Sequence, residues 1–180
     1  AGPTIWHEGF ENGVPAKATN VGTGVVVTSE SGAHSGTRRF QFVGDTDPAT
    51  VSSLTFVLDL AGYEAGSLEF ANKFNSGIEG DDVATVMVWA VDDPLQQKSV
   101  VTLPFANQPS GDWVITTIDL PAELSDQQLN VSFTADFNSA SSDTWSLDDL
   151  SFVATPVPEP VSLSLLILGV IPALVRRRFS

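Results

Sequence analysis

Trp145-Ser146-Leu147-Asp148-Asp149-Leu150-Ser151-Phe152 reads as a β-strand with a fault in the middle. Trp145 and Leu147 share one parity, Leu150 and Phe152 share the other, and the switch falls on Asp148-Asp149. Successive side chains of a strand point to opposite faces. An uninterrupted strand would therefore bury one apolar pair and leave the other in water. One extra residue at the acidic pair, a β-bulge, returns both pairs to the core. The same bulge aims one carboxylate sideways into a partly buried position, where it needs a partner.

The same period of two recurs outward from this strand. Val131, Phe133, Ala135 and Phe137 alternate with Asn130, Ser132, Thr134 and Asp136. Leu54, Phe56, Leu58 and Leu60 share one face, as do Leu68, Phe70 and Phe74. Val83 to Val91 is nearly continuous and β-branched, which predicts a central strand buried on both sides. Gly24–Thr28, Arg38–Val43, Ser99–Leu103 and Trp113–Leu120 are further strands. Nothing before Val161 has a helical period. About nine short strands separated by turns predict an all-β sandwich or barrel over residues 1–154.

Composition narrows the function. The chain has 180 residues, with 22 acids against 8 bases, a net charge of −14. Three of the bases are Arg176, Arg177 and Arg178, and Glu159 is the only acid beyond Val153. The body thus holds 21 acids against 5 bases, or −16, a field that repels phosphate backbones and excludes nucleic acid as a partner. The absence of cysteine rules out disulfides and thiolate chemistry. No signal peptide is visible ahead of Ala1, which fits either its removal or a fragment.

At Thr155 the composition changes. Thr155-Pro156-Val157-Pro158-Glu159-Pro160 is an extended Pro-rich linker (residues 155–160), and an uncharged run from Val161 to Val175 precedes the three arginines. As a helix those 15 residues span ~22 Å, less than the ~30 Å hydrocarbon core, a shortfall that snorkelling arginines and local thinning absorb. The arginines would face the cytoplasm and the body the outside. Val157, Pro158, Glu159 and Pro160, the apolar helix, and Arg176, Arg177 and Arg178 together resemble the PEP-CTERM sorting signal of Gram-negative bacteria. The resemblance implies an exosortase-type processing enzyme as partner and a membrane tether through residues 161–180 before processing. It also implies delivery to the cell envelope, outer surface or extracellular matrix, with a link to exopolysaccharide and biofilm.

Three segments of the body resemble the jelly-roll domains of the galactose-binding-like superfamily, which includes many carbohydrate-binding modules. They are Phe10-Glu11-Asn12-Gly13, His34-Ser35-Gly36 with the following strand, and Trp145 to Leu150. The resemblance implies an antiparallel jelly-roll sandwich whose first and last strands meet around a structural calcium. Its ligands would be Glu11 and Asp148, or Asp149 in place of Asp148, with carbonyls from the turn beginning at Ser31. Satisfied carboxylates capping turns are the alternative reading of the same residues.

Little in the chain suggests catalysis. The two histidines, His7 and His34, form no zinc-binding motif, and no nucleophile elbow is present. The doublets Asp81-Asp82, Asp92-Asp93 and Asp148-Asp149 are neighbours in sequence, so neither member can face the other across a cleft. Gly22-Thr23-Gly24 lacks the third glycine and the helix of a phosphate cradle. The chain is therefore read as a non-enzyme. Sugar binding needs aromatic platforms. Trp145 and Trp89 have the parity of core residues, leaving Trp113, after a turn, and Tyr63, in a loop, as candidate ligand-binding residues. The resulting expectation is a polysaccharide-binding module, with a structural or adhesive matrix protein as alternative and a sandwich-fold hydrolase as a weaker third.

Overall fold

The computed structural model describes residues 2–28, 32–44, 50–75, 82–95, 98–104, 111–137 and 143–158. They form eleven strands: β1 Thr4–Glu8, β2 Thr19–Val21, β3 Val25–Thr28, β4 Arg38–Val43, β5 Thr50–Asp59 and β6 Ser67–Phe74, then β7 Val83–Ala90, β8 Lys98–Pro104, β9 Val114–Asp119, β10 Gln128–Phe137 and β11 Thr144–Val153. The only helical element among these residues is one 3-10 turn, Ala122–Leu124.

Two antiparallel sheets make a sandwich. One runs β3-β4-β11-β6-β9, with β1 also paired to β11; the other runs β2-β5-β10-β7-β8. The long strand β11 is shared along its length. Thr144–Leu147 pairs with β4, Leu150–Val153 pairs with β1, and β6 flanks both halves on the other side. The first strand therefore meets the last, as the jelly-roll resemblance implies.

The bulge is where the parity switch put it. The β11–β6 register slips between Asp148 and Ser151, and Asp149 takes a φ of 48°. Trp145, Leu147, Leu150 and Phe152 are all fully buried. The inner faces supply a largely aromatic core. Trp145 lies nearly parallel between Phe42 and Phe74 at 5.3 and 5.6 Å, and Phe133 stands edge-on to Phe56 and Phe70. Such pairs add about 0.5–1.5 kcal/mol each beyond their buried area.

Two expectations change. β7 is buried on one face only: Ala84, Val86 and Val88 point inward, whereas Val83, Thr85, Met87 and Trp89 line the outer side of the five-stranded sheet. β-branched residues suit a pleated surface whether or not it is covered, so the continuous run reflected strand preference and not double burial. Trp89 is accordingly an outer-face residue and not a core one. In addition β1 and β2 are strands that the alternation does not signal, being short and mostly polar. The chain leaves β11 beside the Gly62–Glu64 loop, where Glu64 N–H donates to Thr155 O and Val157 N–H to Gly62 O.

Candidate functional site

The bulge, the segment after β1 and the turn before β4 converge on the outer face of the six-stranded sheet. Asp148 is fully buried. Its Oδ2 accepts the amides of His34 (2.8 Å) and Ser35 (3.1 Å), and its Oδ1 accepts that of Asp149 (2.8 Å). Burial pushes its carboxyl above the ordinary range. The three amides pull the other way, and the neighbouring Asp149 charge adds to the rise. Arg39, on β4, adds favourable charge nearby, though its Nε and Nη1 are buried without a hydrogen bond and desolvation lowers its own pKa.

Glu11 holds the other side of the same turn. Its Oε1 accepts the amides of Arg38 (2.9 Å) and Thr37 (2.8 Å), and its Oε2 accepts the Thr37 hydroxyl (2.9 Å). These amides, that of Arg38 first, hold the carboxyl below its ordinary value. Gly36 adopts φ 61°, and a Cβ there would collide with the Glu11 carboxylate, so both backbone angle and space require glycine.

Asp149 faces outward. Its Oδ2 lies 2.6 Å from His34 Nδ1 and its Oδ1 accepts the Ser35 hydroxyl at 2.6 Å, with His7 Nε2 at 3.8 Å. Burial raises its pKa, but the hydrogen bonds from Ser35 and His34 and the two histidine charges outweigh it, and the net shift is downward. Both histidines of the chain thus address one carboxylate, which their sequence positions did not reveal. Ser35 donates directly to the carboxylate and not to an imidazole, so this is not a chain from nucleophile to base. What it does is fix the turn and orient His34, whose ring meets the half-buried Trp113 edge-on at 5.6 Å.

Trp113 therefore joins Asp148, Asp149 and Glu11 at one surface. Tyr63 does not. It bridges Pro156 and packs on the core beside the opposite end of β6, whereas Trp113 stands beyond the start of β9. The length of β9 alone separates those ends by about 17 Å. Val157 and Pro158 are exposed. Ser31, Glu159, Pro160, Arg176, Arg177 and Arg178, with the apolar run, lie outside the described residues, as do Asp81 and the 105–110 segment. Among the described residues no helix is long and apolar enough to cross a membrane.

For a hard cation, carboxylate and carbonyl oxygens are the right donors. Glu11 spends three acceptor positions on the turn, and Asp148 two there and one on the Asp149 amide, of about four that a carboxylate has. Among the described residues no three His, Asp or Glu side chains gather around one ion position. Carboxylate oxygens are the donor type that calcium takes, but those of Glu11 and Asp148 alone do not make a full shell, and Ser31 lies outside the described residues.

The architecture is that of an all-β sandwich of two antiparallel sheets, a fold found in carbohydrate-binding modules and adhesin domains. TmCBM61, solved in complex with β-1,4-galactotriose, superposes with a TM-score of 0.59 at 19% identity over 81% of this chain and 94% of its own. A cleaved adhesin domain of Lys-gingipain from Porphyromonas gingivalis gives 0.66 at 18% identity, over 86% and 99%. The CBM22-1 xylan-binding domain of Paenibacillus barcinonensis Xyn10C gives 0.58 at 18% identity, over 88% and 98%. No family model and no curated protein matches the chain.

Proposed function

We propose that this chain is a non-catalytic binding module for polysaccharide, exported and sorted to the cell surface or extracellular matrix by its PEP-CTERM-like tail. The observation that carries the binding role is the Trp113–His34 pair beside Asp149 on an outer sheet face. A sugar ring offers an apolar C–H face ringed by hydroxyls. A partly exposed indole beside carboxylate and hydroxyl groups answers both. TmCBM61 with its galactotriose and the xylan-binding domain carry that kind of ligand on a similar fold, which supports a polysaccharide here.

The sorting role rests on the sequence from Val157 to Arg178, with an exosortase-type enzyme as partner and residues 161–180 as the temporary membrane tether. A structural calcium held by Glu11 and Asp148, or by Asp149, with the Ser31–Ser35 turn is part of the same reading.

On a glycan array the full chain should bind polysaccharide and Trp113→Ala should abolish that binding. Unchanged binding by the variant would remove Trp113 from the site. Deleting Pro158–Pro160 should leave the protein in the membrane fraction, and normal release would sink the exosortase reading. The adhesin-domain likeness favours a second reading, a structural or adhesive matrix protein. Calcium-dependent self-association without glycan binding would select it.

A further inference from the structure

We propose a second sugar subsite, remote from Trp113, in the mouth of the sandwich between β1 and β5, built by Trp6, Lys17 and Asp59 to take one neutral pyranose unit. A depression of about 370 Å³ opens there, floored by Ile5, Leu58 and Phe152 and walled by Trp6, with Lys17 and Asp59 among the residues lining it. Its volume is within the ~300–1,000 Å³ usual for small-molecule sites.

The topology explains why the sandwich is open at this place. Among the described residues β1 has β11 on one side and no strand on the other, and β2 begins with Thr19 opposite Thr55, so β5 beyond Thr55 has no strand partner on that edge. The edges of the two sheets therefore face each other without a covering strand, and the turn through Pro15 and Lys17, closed by Ala18 N–H to Pro15 O, flanks the gap. Edge main-chain groups left without a strand partner are natural hydrogen-bonding sites for hydroxyls.

The side chains complete that chemistry. Trp6 pairs with Phe152 in the ladder, and its ring stands edge-on to Phe56 at 5.1 Å, which fixes the indole while leaving it half-exposed. Lys17 is exposed and makes no ion pair among the described residues, Asp59 included. One Asp59 oxygen caps Ala61 N–H at 3.1 Å, and among the described residues the other has only a long 3.4 Å contact to Gln128. A donor, an acceptor and a rigid aromatic wall around a semi-open gap match a pyranose, whose C–H face stacks while its hydroxyls bridge charges of both signs. The −16 body disfavours uronates and sulfated sugars, which makes the ligand neutral.

This subsite does not depend on the Trp113 reading, and one titration series separates them. The full chain is titrated calorimetrically with β-1,4-galactotriose, xylohexaose and an oligogalacturonate. A neutral oligosaccharide should bind. Asp59→Asn and Lys17→Ala should each weaken it about tenfold, ~1.4 kcal/mol, and Ala16→Trp, at an exposed position, should block the gap. Thermal melting of each variant confirms folding. Loss of binding in these variants but not in Trp113→Ala establishes this subsite and overturns Trp113; the reverse pattern overturns this proposal and leaves Trp113 standing. Preferential binding of the oligogalacturonate, or no binding of either neutral probe, also overturns it.

Discussion

Asp148 shows how one residue ties the site to the stability of the fold. Its charge is costly to bury, as the upward pKa shift records, yet three amides converge on it. Removing a buried acceptor leaves its donors unsatisfied, and that penalty exceeds the relief from removing the charge. Asp148→Ala should therefore destabilise the protein by about 3 kcal/mol in urea unfolding; a loss under ~1 kcal/mol would show that the turn at His34 and Ser35 finds other acceptors. The need for a partner was legible in the parity switch at Asp148-Asp149. The residue pattern did not show the partners, because His34 and Ser35 lie 114 and 113 residues away and reach Asp148 through backbone amides, which every residue type carries; the jelly-roll resemblance named that turn only as a source of carbonyls. The convergence of His7 and His34 on Asp149 was hidden for the same reason of distance in sequence.

At the scale of the strand, nine of the eleven strands were legible, most by their alternation, because a half-buried strand must sort apolar from polar residues, and β7 by its β-branched run. β2, three exposed residues on an edge, has no face to bury and left no pattern. β1 has one inward aromatic, Trp6, in only five residues. The bulge in β11 was legible because four large apolar residues flank it. Deleting Asp149 turns that reading into a test. The shortened strand would alternate without fault, so Leu150 and Phe152 would stay on the inner face with Trp145 and Leu147, and the β11–β6 ladder would become regular. The four apolar side chains keep their burial, worth about 1.5–3 kcal/mol each, so unfolding followed by tryptophan fluorescence should stay cooperative. Stability should fall only through the lost Asp149 contacts to His34 and Ser35. Loss of the cooperative transition would mean that the bulge serves the fold by more than restoring parity.

For the whole molecule, acidity and cation binding meet at the same question. A ligand that binds only the folded protein raises its stability by RT ln(1 + [L]/Kd), about 2.7 kcal/mol at a hundredfold excess over Kd. Calcium should raise the melting temperature of the full chain relative to chelator. Glu11→Ala should lower the melting temperature more in calcium than in chelator, where only its hydrogen bonds to Thr37 and Arg38 are lost. Equal losses in both conditions would make Glu11 solely an anchor for the turn at Thr37 and Arg38, the role its hydrogen bonds already describe.

The path of the chain also sets which way the sandwich points. Pro3 and Ala154 are hydrogen-bonded neighbours, and Val157 departs along Gly62, so both ends of the described chain emerge at the Tyr63 pole. Trp113 stands past the opposite end of β9. Whatever is joined after Val157 grips the sandwich by its base, and the aromatic patch becomes its leading edge, turned toward whatever approaches from the far side.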